Sequence, residues 1–336
     1  MNKFLALSET RRKEIFGTLA MKTKLPDVSV EKDWWATAIL RALFALPYSA
    51  HLSFKGGTSL SKCWNLIERF SEDIDIAINR EYLGFGGVLT KTQISDRLRR
   101  ASCAFVREKL QFDLAQQLKQ SGIHPDFFSV RVHMTPVTTT DPEIIEIAYQ
   151  TLFSGSNYIQ PVIKLEVSGR SMSEPLQTIK LRSLLDESFP ETIFEEIPFE
   201  VQAVVPHRTF LEKICLLHEE FVKPVKEIRT ERMSRHLYDL VKITDTSIAE
   251  EALGDSQLFR SVVEHRRIFI RLKEFDYDTL TPENIVIVPP ENMISQWKAD
   301  YETMRNTMIY GESPSFNLLI DKIKQLNEKI KKLTIA

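Results

Sequence analysis

Two neighbouring stretches hold the residue types that phosphate chemistry needs. They are Phe54-Lys55-Gly56-Gly57-Thr58-Ser59-Leu60 and, shortly after, Arg69-Phe70-Ser71-Glu72-Asp73-Ile74-Asp75-Ile76. Adjacent glycines at a strand-to-helix turn let the backbone approach a ligand, and the N–H groups of Thr58, Ser59 and Leu60 at the helix start would then point at a phosphate. The hydroxyls of Thr58 and Ser59 add donors. On an extended strand Asp73 and Asp75 share one side while Ile74, Ile76 and Ile78 share the other, so two carboxylates converge over an apolar anchor. Like charges held that close call for a cation. Mg²⁺ suits them, being oxygen-liganded and completed by substrate phosphates and water. A lone Gly-Gly is ordinarily a turn, and a lone Asp-x-Asp is ordinarily a solvated strand face. The two together, within about thirty residues, are the parts that set a triphosphate beside its metal.

Two-metal phosphoryl transfer calls for a third carboxylate. In Val162-Ile163-Lys164-Leu165-Glu166-Val167 alternation sends Ile163, Leu165 and Val167 to the core and Glu166 to the opposite face, which makes Glu166 the candidate. A cross-strand salt bridge is the competing role for Glu166, and Glu146 is the rival acid. Further on, Thr209-Phe210-Leu211-Glu212 reads as a capping box opening a helix whose core stripe is Phe210, Ile214, Leu217 and Phe221. Lys213, at the edge of that stripe, either snorkels to solvent or reaches a cleft as a point charge on NTP phosphates. In Ser234-Arg235-His236-Leu237-Tyr238-Asp239-Leu240 the i,i+4 pair Arg235 and Asp239 reads, from spacing alone, as a helix-surface ion pair.

These residues need elements to position them. The pattern predicts a helix over 8–21, then a second that Ser29 caps and Pro47 ends. A strand over 51–55, a short helix over 58–67 and a strand over 73–78 follow. After a glycine-rich turn comes a helix over 93–119 with Ile94, Leu98, Ala101, Phe105 and Phe112 as its apolar stripe. Strands are expected at 127–134, 144–150, 161–168 and 198–205, and helices at 209–222, 234–244, 256–272, 290–308 and 315–333. This order argues an α+β lobe with a mixed sheet over 1–205 and an α-helical C-terminal lobe over 206–336.

With 336 residues, 43% of them hydrophobic, the chain can bury a sizeable core. Its net charge of −2 excludes a whole-molecule basic field of the kind that marks many nucleic-acid binders. Cys63, Cys103 and Cys215 are odd in number and far apart, which disfavours disulfides and structural zinc. The N-terminus turns charged too soon for a signal peptide and no run reaches membrane-spanning length, so a cytoplasmic protein with no membrane partner is expected.

The segments FKGGTSLSKCW, RFSEDIDIAI, RTFLEKI and SRHLYDL resemble, in that order, the signature segments of the AbiEii-type nucleotidyltransferases. These are toxins of bacterial type IV toxin–antitoxin (abortive infection) systems, related to the MenT-type toxins. The resemblance covers about 51–78, 160–168 and 200–245; the last ninety or so residues carry no such motif. It implies a DNA-polymerase-β-like nucleotidyltransferase lobe in which Gly56, Gly57, Thr58 and Ser71 face the nucleotide and Asp73 and Asp75 ligate metal. Lys213 and Asp239 complete the site, Glu166 matches the superfamily's third acid, and His236 lies on the family's helix. Glu72 falls where the family varies. The implied activity is Mg²⁺-dependent (Mn²⁺ also serving) transfer of a nucleoside monophosphate from an NTP to an acceptor, tRNA being favoured. The alternatives are transfer to a protein hydroxyl and a non-catalytic nucleotide-binding module. An antitoxin encoded in the adjacent gene, acting without a stable complex, is the implied partner.

Overall fold

The computed structural model describes residues 2–71, 73–133, 141–153, 160–172 and 174–333. Packing divides the chain into two units, Met1–Cys63 with Phe70–Val204, and Trp64–Arg69 with Val205–Ala336. The first is α+β and the second is helical.

The first unit is built on a seven-stranded mixed sheet. Its strands are β1 (Leu52–Lys55), β2 (Asp73–Ile78), β3 (Phe128–Val132), β4 (Glu143–Tyr149), β5 (Val162–Ser168), β6 (Leu176–Leu181) and β7 (Phe199–Val204), in the order β3-β4-β5-β2-β1-β7-β6. β2 pairs with β5, and β1 with β7, in parallel; the other pairs are antiparallel. The register aligns Phe54, Ile76 and Val167 across the sheet, and Ile74, Leu165 and Ile145 beside them. All six are buried. One face of the sheet is therefore apolar, and period-two alternation sends Asp73, Asp75 and Glu166 to the other. The expected strand end at Met134 lies outside the described residues. β6 was not expected. Its sequence LQTIKL is mostly exposed at the sheet edge, so it lacks the apolar alternation by which a half-buried strand is read.

Several boundaries move for physical reasons. The second long helix runs Asp27–Phe44 with Pro26 as its N-cap, so Ser29 is not the cap. The Pro26 carbonyl accepts from Ser29 N–H at 2.9 Å, and Ser29 is buried in the first turn. From Gln93 to Gln120 the chain is helical, but π-type turns occupy Gln93–Leu98 and Val106–Leu110. Such turns widen the helix and rotate everything after them. The expected stripe therefore fails at Phe112, which is 63% exposed, and Leu110, Leu114 and Leu118 are buried instead.

In the helical unit the helix expected to open at Thr209 runs Pro206–Phe221, with Pro206 at the position where a missing N–H costs nothing. The capping box is overturned. Thr209 sits inside the helix, where its buried hydroxyl has no hydrogen-bond partner among the described residues, and Glu212 accepts from Arg208 instead, at 2.9 Å. A short helix, Ser247–Gly254, escaped the pattern, while Ser234–Thr244 matches its expected span and Ile294–Thr307 and Phe316–Lys331 fall within four residues of theirs. The segment Trp64–Arg69 is held within this unit. Tyr310 N–H donates to the Glu68 carbonyl at 3.0 Å, Lys242 pairs with Glu68 at 2.7 Å, and Arg69 forms a β-bridge with Ile309.

Candidate active site

The acids come together through sheet register. β1 and β5 flank β2, so that Asp75 lies opposite Lys55 on one side and Glu166 on the other, while Asp73 lies beside Lys164. Register partners on neighbouring strands point to the same face, with backbones about 4.8 Å apart. Asp73, Asp75 and Glu166 thus share one face of two adjacent strands, each half-buried. Among the described residues no three His, Cys, Asp or Glu side chains are already gathered as a metal site. The donor set nonetheless fits a hard divalent ion, being all carboxylate oxygen on a rigid strand pair. Glu146 lies on the same face beside Lys164, but it is occupied. Arg131 and His133 both reach it, at 2.9 Å and 2.8 Å.

The glycine turn is tighter than its sequence suggests. The short helix is Gly56–Lys62, so both glycines lie inside its first turn rather than before it. A helix leaves its first N–H groups unpaired. Those here are Gly56, Gly57 and Thr58; Ser59 and Leu60, expected to point at a phosphate, fall within reach of the helix's own carbonyls. Neither hydroxyl is a spare donor. Thr58 Oγ1 donates to the Asp73 carbonyl, and Ser59 Oγ donates to the Gly56 carbonyl at 2.9 Å. Thr58 thereby ties the glycine turn to the start of the acid strand. Gly56 adopts φ +77°, and a Cβ built on it would stand 1.9 Å from Asp75 Oδ2. The space that a side chain would fill is taken by the carboxylate. Ser71, half-buried, leads into β2, and Glu72 lies outside the described residues.

The helical unit holds a second charged cluster. Asp239 is completely buried and takes Arg69 through both oxygens, Nε to Oδ1 and Nη2 to Oδ2, each at 2.7 Å. Lys213 Nζ lies 3.0 Å from Oδ2 of the same carboxylate and 3.3 Å from Nδ1 of His236. Lys213 therefore does not snorkel; it is 7% exposed. Burial works to raise the Asp239 carboxyl, but Arg69 and Lys213 outweigh it and hold it well below the usual range. Burial lowers the Lys213 ammonium while Asp239 props it up. Burial, with the charges of Lys213 and Arg235, drives His236 well below its ordinary value, so its neutral ring accepts from Lys213 at Nδ1. The helix-surface pair Arg235–Asp239 does not form as the spacing suggested, because Asp239 faces inward and is already engaged. Arg69 was missed as a member of this cluster, since 170 residues separate it from Asp239 and no spacing rule spans that distance.

An acid pair and a third acid on a mixed sheet, met by a glycine turn, mark a nucleotidyltransferase-type lobe. A family model described as "Nucleotidyl transferase AbiEii toxin, Type IV TA system" matches residues 38–325, and the chain belongs to that family. Among solved structures, MenT4, a nucleotidyltransferase toxin from Mycobacterium tuberculosis H37Rv, is similar over 95% of this chain and 90% of its own, with a TM-score of 0.56 and 16% identity. At that identity the likeness is one of fold, and it agrees with the expected α+β class. JHP933 from Helicobacter pylori aligns over 90% of this chain and 92% of its own at 14% identity, with a TM-score of 0.41. No curated protein matches in sequence. Among the described residues no helix is long and apolar enough to cross a membrane.

Proposed function

We propose that this chain transfers a nucleoside monophosphate from an NTP to an RNA acceptor, tRNA being favoured, and thereby acts as the toxin of a type IV system in the bacterial cytoplasm. The observation that carries the reading is the register of β2 and β5, which sets Glu166 beside Asp75 on the face that also bears Asp73. These three carboxylates would hold Mg²⁺, or Mn²⁺ in its place, which when bound supplies positive charge against the triphosphate and favours the ionised acceptor hydroxyl. The main-chain N–H groups of Gly56, Gly57 and Thr58 are suited to phosphate oxygens, and Ser71 is assigned to the nucleotide side of the same turn. Lys213 is assigned to the phosphates as a compact cation, with Asp239 keeping it charged. In the reaction the acceptor hydroxyl gives up its proton to solvent as its oxygen bonds to the α-phosphorus, the bond from the α-phosphorus to the α,β-bridging oxygen breaks, and pyrophosphate leaves with that electron pair.

The test is to incubate the pure protein with each labelled NTP, Mg²⁺, and total bacterial RNA or total bacterial protein. Label in the tRNA fraction is the expected result. Label in protein alone would move the acceptor to a side-chain hydroxyl, and no label with any NTP would reduce the chain to a nucleotide-binding module. An antitoxin from the adjacent gene should relieve toxicity without co-purifying with this chain.

A further inference from the structure

Arg235 is the charged residue of the SRHLYDL segment that the fold leaves unanswered. Its i,i+4 neighbour Asp239 is engaged by Arg69 through both oxygens and by Lys213 at 3.0 Å. The nearby Asp300 is spent on the main chain, accepting from the N–H groups of Arg232 and Ser234 at 2.6 Å and 2.9 Å and from the Ser234 hydroxyl. Arg235 Nε is buried, and no hydrogen-bond acceptor meets it among the described residues. A buried donor without an acceptor costs stability, and such groups persist where something absent supplies the partner.

The charges around it point the same way. Arg69 and Lys213 answer the one buried acid, Asp239, while Arg235 acts on the neutral His236 and against Lys213 instead, so the cluster carries more positive charge than its one acid answers. Arg69 and Asp239 cancel as a two-pronged pair, which leaves Lys213 and Arg235 as the surplus. A planar guanidinium whose buried Nε–H meets no acceptor among the described residues, together with a compact ammonium in the same cluster, is a donor set suited to a phosphate oxyanion, the fork through its N–H groups and the ammonium as a point charge.

We infer that Arg235 is a phosphate ligand, forming with Lys213 an oxyanion site in the helical unit whose competing acid, Asp239, is sequestered by Arg69. The choice of phosphate rests on the nucleotidyl-transfer reading; the oxyanion could belong to the NTP or to the acceptor RNA backbone. The site favours the polyphosphate of the NTP, which offers several charges to one small cluster.

The experiment measures binding to the full chain by calorimetry, with inorganic tripolyphosphate, with the NTP, and with the tRNA fraction in the absence of NTP. Wild type is compared with Arg235→Met and Arg235→Lys. Arg235→Met is expected to weaken tripolyphosphate and NTP binding about tenfold or more, with tRNA binding within twofold and the melting temperature unchanged or raised, because no native partner is lost. Arg235→Lys should recover part of the affinity, as charge without the fork. Loss of tRNA affinity alone would still support a phosphate site and assign it to the acceptor backbone. A folded Arg235→Met variant that binds all three probes like wild type overturns the inference. Tripolyphosphate binding needs no turnover, so a wild-type chain that binds it through Arg235 but transfers nothing would sink the enzymatic reading and leave this site standing.

Discussion

Gly56 and Asp75 contend for one volume: a Cβ on Gly56 would stand 1.9 Å from Asp75 Oδ2 and 2.6 Å from its Cγ. The left-handed φ of +77° adds a second reason for glycine there. Gly56→Ala should displace the carboxylate, cost roughly 1–3 kcal/mol of stability and abolish nucleotidyl transfer. In an Asp75→Ala background the clashes with Oδ2 and Cγ disappear, leaving the 3.0 Å approach to the Cβ of residue 75 and about 1 kcal/mol of backbone strain, so the cost should fall. Equal costs in both backgrounds, measured by urea unfolding, would show that the two residues do not compete.

The three proposed metal ligands stand on β2 and β5, whereas Glu146 on β4 is engaged by Arg131 and His133. Asp73→Asn, Asp75→Asn and Glu166→Gln should each lower transfer by orders of magnitude while leaving the fold intact, since Thr58 is tied to the Asp73 carbonyl and not to its side chain. Glu146→Gln should do the reverse. It weakens the contacts to Arg131 and His133 and should leave the rate within a few fold. Near wild-type rates for Glu166→Gln, with a loss for Glu146→Gln, would exchange the two acids.

For Lys213 the measurement is a pH–rate profile. Burial lowers its ammonium and Asp239 opposes that, so activity that needs the charged form is lost as pH rises through the depressed value. Asp239→Asn removes the opposing charge, and the alkaline limb should move to lower pH. It also leaves Arg69 buried without its counterion, at a cost of roughly 3–5 kcal/mol. Lys213→Met should lower the rate about a hundredfold with a modest change in stability, because Arg69 still satisfies Asp239. An alkaline limb that stays in place in Asp239→Asn would remove Lys213 protonation from the rate.

His218 makes stability depend on acid. It is buried, accepts from Val286 N–H at Nδ1 and meets Thr279 Oγ1 at Nε2, and burial pushes its pKa down to about 4. The unfolded chain, with an ordinary imidazole, binds a proton first as pH falls. Stability present above about pH 6.5 is therefore lost progressively toward pH 4, by about 3 kcal/mol in full. His218→Gln should flatten that window in chemical unfolding at pH 7 and pH 4.5. A variant that loses as much stability as wild type would place the acid sensitivity elsewhere.

Local pattern determined a good deal of this protein. Alternation alone sent Asp73, Asp75 and Glu166 to one face and the isoleucines to the other, because a strand's side-chain period is fixed by its backbone. The helical stripe Phe210, Ile214, Leu217 and Phe221 was equally legible, and all four are buried. Tertiary structure decided the rest. Which strand lies beside which is a long-range matter, so only the fold could set Glu166 next to Asp75 and give Glu146 to Arg131. Two π-type turns, invisible to a 3.6-residue period, turned Phe112 outward. The spacing of Arg235 and Asp239 allowed a surface pair, but a buried carboxylate takes the partner that best replaces water. That partner was Arg69, a planar fork delivered by a segment 170 residues away.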